Sequence, residues 1–320
     1  MNKINLCLMF LLLSASYDIQ GHNDTAPFDN QHTQNNSLND SRHYYCTAAD
    51  GDYFTMLMNL IGSIHKNDFD NLGTIAIFDL GLPPEARAHL CTIEKVIVCD
   101  VERKNPHILQ YFRTNPDQLI KRGWFTWKPV VIKQALDMFP HILYLDAGTT
   151  VLQPLTDLFK HIRQHGSFFL NTGVPIEPRI TKPVFEKVIA HMSPAEQDLC
   201  SDENTTSIDG GVQGLSHAVY DDYVLPMYNL ASDLTVFMDD GSARIGFGEG
   251  RHDQTLASIF VNVLGYRMFH HGWNVLTIDG KRSPIHIHWS CRQINTFTSL
   301  FRSRNNIDIA HYETFIRYKK

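Results

Sequence analysis

The chain has 320 residues, 43% of them hydrophobic and 19% charged, with a formal net charge of -6. That length and apolar content can bury a sizeable core, which excludes a wholly disordered chain. The acidic balance and the lack of a long basic block exclude nucleic acid as the main partner.

Lys3 is followed by an apolar run over residues 4 to 13 and then by Ser14, Ala15 and Ser16. A secretory signal has this layout, so residues 1 to 20 are expected to be a signal peptide, or a short signal-anchor if retained. The run falls short of the about 20 residues that a membrane-spanning helix needs. Residues 21 to 43 are rich in Asn, Asp, Gln, His and Ser and read as a disordered spacer. Sequons stand at Asn23, Asn35, Asn39 and Asn204, which matter in a glycosylating compartment. The expected localisation is the secretory pathway: secreted, or in the Golgi or ER lumen. A membrane is a partner only if the N-terminus stays as an anchor. Cys7 lies in the signal, leaving Cys46, Cys91, Cys99, Cys200 and Cys291 with no C-x-x-C pair. A structural zinc site is therefore not expected, whereas one or two disulfides plus a free thiol suit a secreted chain.

From Tyr45 the pattern becomes regular. Phe54, Leu57, Met58, Ile61 and His65 follow helical spacing, and residues 74 to 80 (TIAIFDL) read as a strand. Pro83 and Pro84 open a short helix before a second apolar run at 95 to 100. Pro129 opens a helix with Ile132, Ala135, Leu136 and Phe139 on one face, which stops before Pro140. ILYLD (142 to 146) and SFFL (167 to 170) are further strands, and GGVQGLS (210 to 216) is a strand entered through glycines. A helix is expected around residues 220 to 230. Another places Leu256, Ile259, Phe260 and Val263 on one face. SPIHIHWSC (283 to 291) closes the pattern as an alternating strand. Alternating strands and helices predict an α/β domain, mostly parallel in its central sheet with helices on both faces, over residues 44 to 300. Residues 301 to 320, with Arg302, Arg304, Arg317, Lys319 and Lys320, read as a solvated basic tail.

Chemistry-bearing residues punctuate this frame. Asp146 closes a buried-looking strand before a tight turn, a place for a divalent cation, sugar hydroxyls or a plain turn former. His286 and His288 share one strand face and could chelate one metal, with Trp289 as an apolar wall. Asp253 and Gln254 begin a helix, where Asp253 serves as a cap or as an acid/base group. Gly246, Gly248 and Gly250 before them suggest a mobile loop. Asp209 precedes the Gly210-Gly211 pair, which allows close backbone approach or a bulge. Trp124, Trp127 and Lys128 lead the Pro129 helix, where the lysine could meet phosphate or solvent.

The order of these segments resembles nucleotide-sugar glycosyltransferases of the GT-A fold, and is most similar to the glycogenin-like family 8 enzymes, over residues 46 to 290. AADGDYF resembles the first strand and turn, implying that Asp50 and Tyr53 meet the nucleotide base. WKPVVIKQAL and ILYLDAG resemble the helix and strand before the metal-binding D-x-D. IDGGVQGLS resembles the strand that contacts acceptor and donor sugar, HDQTLAS the helix whose Asp lies near the reacting sugar, and IHIHWS the late strand whose His binds metal. The implied donor-binding set is Asp50, Tyr53, Lys128, Asp146, Gly210 and Gly211. The implied catalytic set is Asp253, Asp209 and Gln254. The implied metal set is Asp146, His288 and His286, for a divalent ion such as manganese. The implied reaction is retaining transfer of a hexose-type sugar from a nucleotide diphosphate donor, UDP-linked by default, to a hydroxyl acceptor on a glycan, protein or small molecule. The sequence departs from that pattern at Gly148, where the second carboxylate of D-x-D belongs, and lacks the K-P-W after the late His. Lys281, Arg282 or Lys128 could supply the phosphate's positive partner. A metal-dependent hydrolase using Asp146, His252, Asp253, His286 and His288, and a silent sugar- or nucleotide-binding module, are the alternative readings.

Overall fold

The computed structural model describes residues 40–103, 105–112, 121–151, 154–250, 252–272, 275–278, 281–287 and 312–320. Residues 1 to 39, which hold the expected signal and the expected spacer up to its last four residues, lie outside the described residues, as do His288, Trp289 and Cys291; His43, expected to end the spacer, begins β1 instead.

The chain runs through β1 (His43–Ala49), α1 (Phe54–Asp68), β2 (Leu72–Asp79), α2 (Pro84–Cys91) and β3 (Val96–Asp100). The two-residue strands β4 (Tyr111–Phe112) and β5 (Lys121–Arg122) precede α3 (Trp127–Met138), β6 (His141–Leu145) and β7 (Thr149–Val151). Then come α4 (Thr156–His165), β8 (Ser167–Pro175), α5 (Lys182–Lys187), α6 (Pro194–Ser201) and β9 (Thr206–Ser216). The order closes with α7 (Leu225–Leu230), α8 (His252–Val263), β10 (Met268–Gly272), β11 (Val275–Ile278) and β12 (Lys281–Ile287).

One sheet of ten strands carries the order β3-β2-β1-β6-β9-β8-β10-β11-β12-β7. Within its first seven strands, only β9 runs against the rest: β1 is parallel to β2 and β6, β2 to β3, and β8 to β10, while β9 is antiparallel to β6 and β8. The central sheet is thus mostly parallel. The last three strands form an antiparallel extension that ends with β12 against β7.

Side-chain alternation sorts the core into two clusters, one on each face. Tyr44, Cys46, Ala76, Phe78, Ile142 and Tyr144 face α3, α7 and α8. Tyr45, Ile75, Ile77, Leu143 and Leu145 face α1 and α4. A strand buried on both sides must be apolar at nearly every position, which is why β1, β2 and β6 read as continuous runs. On α1, Leu57, Leu60, Ile61 and Ile64 are fully buried, each contributing roughly 1.5–3 kcal/mol of transfer free energy.

Local differences from the sequence reading have identifiable causes. β9 begins at Thr206, earlier than the glycines, because Thr205 and Ile176 link the strand to β8. The segment expected as one helix over 220 to 230 is a π turn at 220–224 followed by α7. The loop holding Gly246, Gly248 and Gly250 is tethered: Asp239 Oδ2 accepts from Gly248 N at 2.7 Å and Gly250 N at 3.1 Å, and Arg179 pairs with Glu249 at 2.8 Å. Cys46, Cys91, Cys99 and Cys200 are all free thiols, so the expected disulfides do not form among the described residues. Three strands of one parallel sheet hold Cys46 and Cys99 apart, since β2 lies between theirs.

Residues 312–320 pack back onto α1 and the α2–β3 connection. His65 Nδ1 accepts from Arg317 N at 3.0 Å, Glu94 N donates to Arg317 O at 2.9 Å, and Lys319 N donates to Thr92 O at 2.7 Å. Ile316 is buried in this contact. Gly62 makes the approach possible, because a Cβ there would lie 2.0 Å from Tyr312 O. No helix among the described residues is long and apolar enough to cross a membrane.

Candidate active site

Four parallel strands deliver an aspartate at or just past their carboxyl ends: Asp50 after β1, Asp79 in β2, Asp100 in β3 and Asp146 after β6. Asp79 and Asp100 both pair with Arg87, at 2.6 and 2.9 Å, and Asp79 also caps the Gly81–Leu82 turn. These two are spent on local structure. Asp50 is held by Arg122, 3.3 Å away, and accepts from the Tyr111 hydroxyl at 3.4 Å, while the Arg122 guanidinium lies 4.0 Å over the Tyr111 ring. Tyr53, in the turn after Asp50, packs against the core beneath α1.

Asp146 enters a different arrangement. Because β9 is reversed, its early residues lie beside the carboxyl end of β6: Leu145 pairs with Val212, and Asp146 N donates to Gly211 O at 2.9 Å. Asp209 therefore arrives two residues from Asp146's partner. A Cβ on Gly211 would lie 2.7 Å from Asp146 Oδ2 and 3.2 Å from Asp209 Oδ1, so only glycine lets the two carboxylates come this close. A Cβ on Gly210 would meet Asp253 Oδ2 and the Gln254 side chain at 3.3 Å, so the first glycine admits the start of α8. The Gly210-Gly211 pair is explained by the approach of protein carboxylates.

Lys128, near the start of α3, joins these elements. Its ammonium lies 3.2 Å from Asp146 Oδ1, 3.2 Å from Asp253 Oδ2 and 3.1 Å from Gly210 O. An ammonium has three N–H donors, and here it has three oxygen partners. Burial alone would lower the Lys128 pKa, but the Asp146 and Asp253 charges outweigh it and raise it. Tyr144, two residues before Asp146 on the same strand face, donates its hydroxyl to Asp146 Oδ1 at 2.7 Å. The period-2 rule applied to ILYLD could have found Tyr144; nothing local marks Arg122 as the partner of Asp50.

The carboxylates differ in exposure. Asp146 keeps 38% of its side chain open, whereas Asp209 and Asp253 are buried. Burial pushes the Asp209 carboxyl up to about 7, with the Gly211 N–H opposing and the Asp146 charge adding to the rise. Burial also raises the Asp253 carboxyl, against the pull of Lys128. Two acids thus flank the cation, with Asp209 next to Asp146. Gln254 does not face this cluster's centre: its Nε2 donates to Ile208 O at 2.7 Å and ties α8 to β9.

Among the described residues no trio of His, Cys, Asp or Glu converges as a metal-holding group. His286 lies in β12 opposite Thr150 of β7, two residues beyond Gly148. His252 Nδ1 is engaged with Phe237 O at 2.8 Å. Toward a hard divalent cation the cluster offers one partly open oxygen ligand, Asp146, whose Oδ1 is shared with Lys128 and Tyr144.

No family model matches the chain, and no curated protein matches it. Solved structures do. Core-mannan synthase A from Aspergillus fumigatus in an Mn/GDP form is 10% identical over 87% of this chain and 87% of that chain, with a TM-score of 0.46. Galactosyltransferase LgtC in complex with donor and acceptor sugar analogues is 11% identical over 83% and 95%, with a TM-score of 0.44. The mannosyltransferase Ktr4p from S. cerevisiae in complex with GDP is 10% identical over 99% and 94%, with a TM-score of 0.44. These superpositions are loose, and the fold described above rests on the strand order of this chain itself.

Proposed function

We propose that this chain is a glycosyltransferase of the GT-A type, moving a sugar from a nucleotide diphosphate donor to a hydroxyl acceptor. The observation that carries the reading is the meeting of Asp146 and Asp253 on Lys128, with Asp209 beside Asp146, at the carboxyl edge of a mostly parallel sheet, where open α/β sheets bind ligands. The order of sequence segments that resembles family 8 enzymes supports it independently.

The reaction breaks the bond between the sugar's anomeric carbon and phosphate and forms one to the acceptor oxygen. The acceptor proton passes to the departing phosphate oxygen. Positive character develops on the sugar, and a fixed, water-poor carboxylate cluster stabilises it. Asp253 and Asp209 would supply that charge from behind Asp146, whose open carboxylate would meet the sugar hydroxyls. Lys128 holds Asp146 and Asp253 at a fixed separation, which spares reorganisation during the reaction. Asp50, steadied by Arg122 and Tyr111, would receive the base, together with Tyr53. A divalent ion, manganese by the resemblance, would be held by Asp146 with His288 or His286, and would neutralise the diphosphate. Retention, a hexose and a UDP carrier are the finer terms of the proposal. So are action in the secretory-pathway lumen after signal removal at residues 1 to 20, a spacer at 21 to 43, a catalytic domain over 44 to 300, and a glycan on Asn204. The Asn204 side chain lies in an exposed turn and donates to Asp202 at 2.9 Å.

The test is a donor screen on the full chain, with and without Mn²⁺, measuring free nucleotide and sugar-modified acceptor. Turnover that Asp146→Ala and Asp253→Ala abolish is the expected result. Phosphoester hydrolysis with no nucleotide sugar present would instead favour the hydrolase. Binding of nucleotide sugar without turnover in any metal would favour the silent module.

A further inference from the structure

Non-glycine residues with positive φ are few among the described residues: Lys95, Trp124, Phe125 and His252. Three of these four meet in one place. The His252 ring lies 4.7 Å from the Trp124 ring and 5.2 Å from the Phe125 ring, nearly parallel to the latter at 26°. Bulky residues in the left-handed region each cost roughly 1–2 kcal/mol, and such strain persists only where the surroundings over-determine it. Here the determinants are visible. The aromatic turn is closed by Thr126, whose buried hydroxyl donates to Gly123 O at 2.7 Å. His252 is tied through Nδ1 to Phe237 O at 2.8 Å.

The two strained turns have a common destination. Trp124 and Phe125 lead directly into Lys128, and His252 immediately precedes Asp253. The ammonium and carboxylate that these turns deliver then meet at 3.2 Å. One stack therefore joins the backbones that carry both partners of the buried ion pair. A carboxylate in the first turn of a helix otherwise has a choice of rotamers and a fraying backbone.

We infer that His252 is a positioning residue, whose ring, clasped by Trp124 and Phe125, fixes where Asp253 stands relative to Lys128. The inference rests on the proposed glycosyl transfer only for its effect on turnover; the geometric claim stands apart from it. Ring stacking carries the effect more than the imidazole nitrogen does. Phenylalanine at 252 should preserve the geometry, and alanine or asparagine should lose it, although asparagine tolerates positive φ best of the three.

The experiment reads the ion pair itself. Lysine side chains are labelled with ¹⁵N in the full chain, and Lys128→Arg assigns the signal. A buried ammonium with three oxygen partners exchanges its protons slowly and gives a resolved resonance. We expect that resonance in the parent and in His252→Phe, and its loss to fast exchange in His252→Ala and His252→Asn. In a donor assay the same alanine and asparagine variants should lose about 10- to 100-fold in kcat with little change in donor KM, and His252→Phe should recover most of it. If His252→Ala does not hold its fold, Trp124→Leu removes one face of the stack and gives the same reading. A Lys128 signal unchanged in folded His252→Ala or Trp124→Leu overturns the inference, as does its absence from the parent. Should the parent turn over no donor, the transferase proposal fails, while the ammonium signal still decides the role of His252.

Discussion

Two buried carboxylate clusters lie at opposite edges of the same sheet, and they are built on opposite plans. At the amino edge, Asp68 ends α1 and receives three donors: His43 Nδ1 at 2.6 Å, the Tyr45 hydroxyl, and Asn71 Nδ2 at 3.2 Å. His43 is itself stacked on Phe159 at 4.1 Å. One acid with several donors is a satisfied structural knot. At the carboxyl edge, two acids share one ammonium and a third, Asp209, lies beside Asp146, and two of the three are buried with raised pKa values. Folding tolerates that imbalance but does not benefit from it. Perturbed acids held together against their own repulsion are what the proposed transferase site would use.

The sharpest way to break this comparison is Lys128→Met. It leaves Asp146 and Asp253 without their shared cation, and removing one partner of a buried pair costs about 3–5 kcal/mol. Urea unfolding should show that loss; a midpoint equal to the parent's would mean that Lys128 is not the keystone of the cluster.

Asp146→Ala and Asp253→Ala come next. Each should lower sugar-nucleotide turnover about 100- to 1,000-fold, the scale of losing one preorganised electrostatic group. Stability should hold or rise, since each removes one of three crowded acids. Turnover at the parental rate in both variants, measured by nucleotide release, would detach the cluster from the chemistry.

Asp68→Asn should behave in reverse. It weakens hydrogen bonds made to a charged group and should cost about 1.5–3 kcal/mol. Turnover per folded molecule should stay at the parental level. A fall in turnover with unchanged urea stability would erase the distinction between the two edges.

Smaller effects lie in the pH dependence. Asp209, with its carboxyl pushed up to about 7, binds its proton more tightly folded than unfolded. Its contribution is full below the unfolded value near 4 and is lost as pH rises through about 7. Asp209→Asn should flatten that decline, by about 1–2 kcal/mol between pH 5 and 8. At the amino edge the sign reverses. Burial, aided by Arg317, lowers His65 to about 4, and burial likewise lowers His141 to about 4. Both bind protons less tightly folded than unfolded, so stability falls as pH drops from about 6.5 to 4. His65→Gln should reduce that fall by about 1 kcal/mol or less in urea midpoints taken across the window. Slopes of equal sign in both variants would contradict the assignment.

Much of the frame was legible because periodicity is local. The apolar runs that became β2 and β6 and the stripe on α8 follow from spacing alone, whereas β1 is marked only by the resemblance of AADGDYF. Asp146 could be singled out because a polar group ending such a run is visible in the residues themselves. What failed to show was anything set by partners distant in sequence. Residues 312–320 carry Arg317, Lys319 and Lys320, and their composition suggests solvent. Yet their backbone pairs with Glu94 and Thr92 over a glycine more than two hundred residues away. The cysteines suited disulfides by count, but the spacing of parallel strands keeps Cys46 and Cys99 apart.

By itself, then, the order of residues settled the periodic segments such as β2, α3, β6 and α8, and that β6 ends in an acid. It could not settle the direction of β9, because a strand's own side chains alternate identically whichever way it runs. That one reversal brings Asp209 and Gly211 to Asp146. Lys128 likewise could have been solvated at the head of its helix. Only the packing of α3 and α8 against β9 places its ammonium between two carboxylates and a backbone carbonyl.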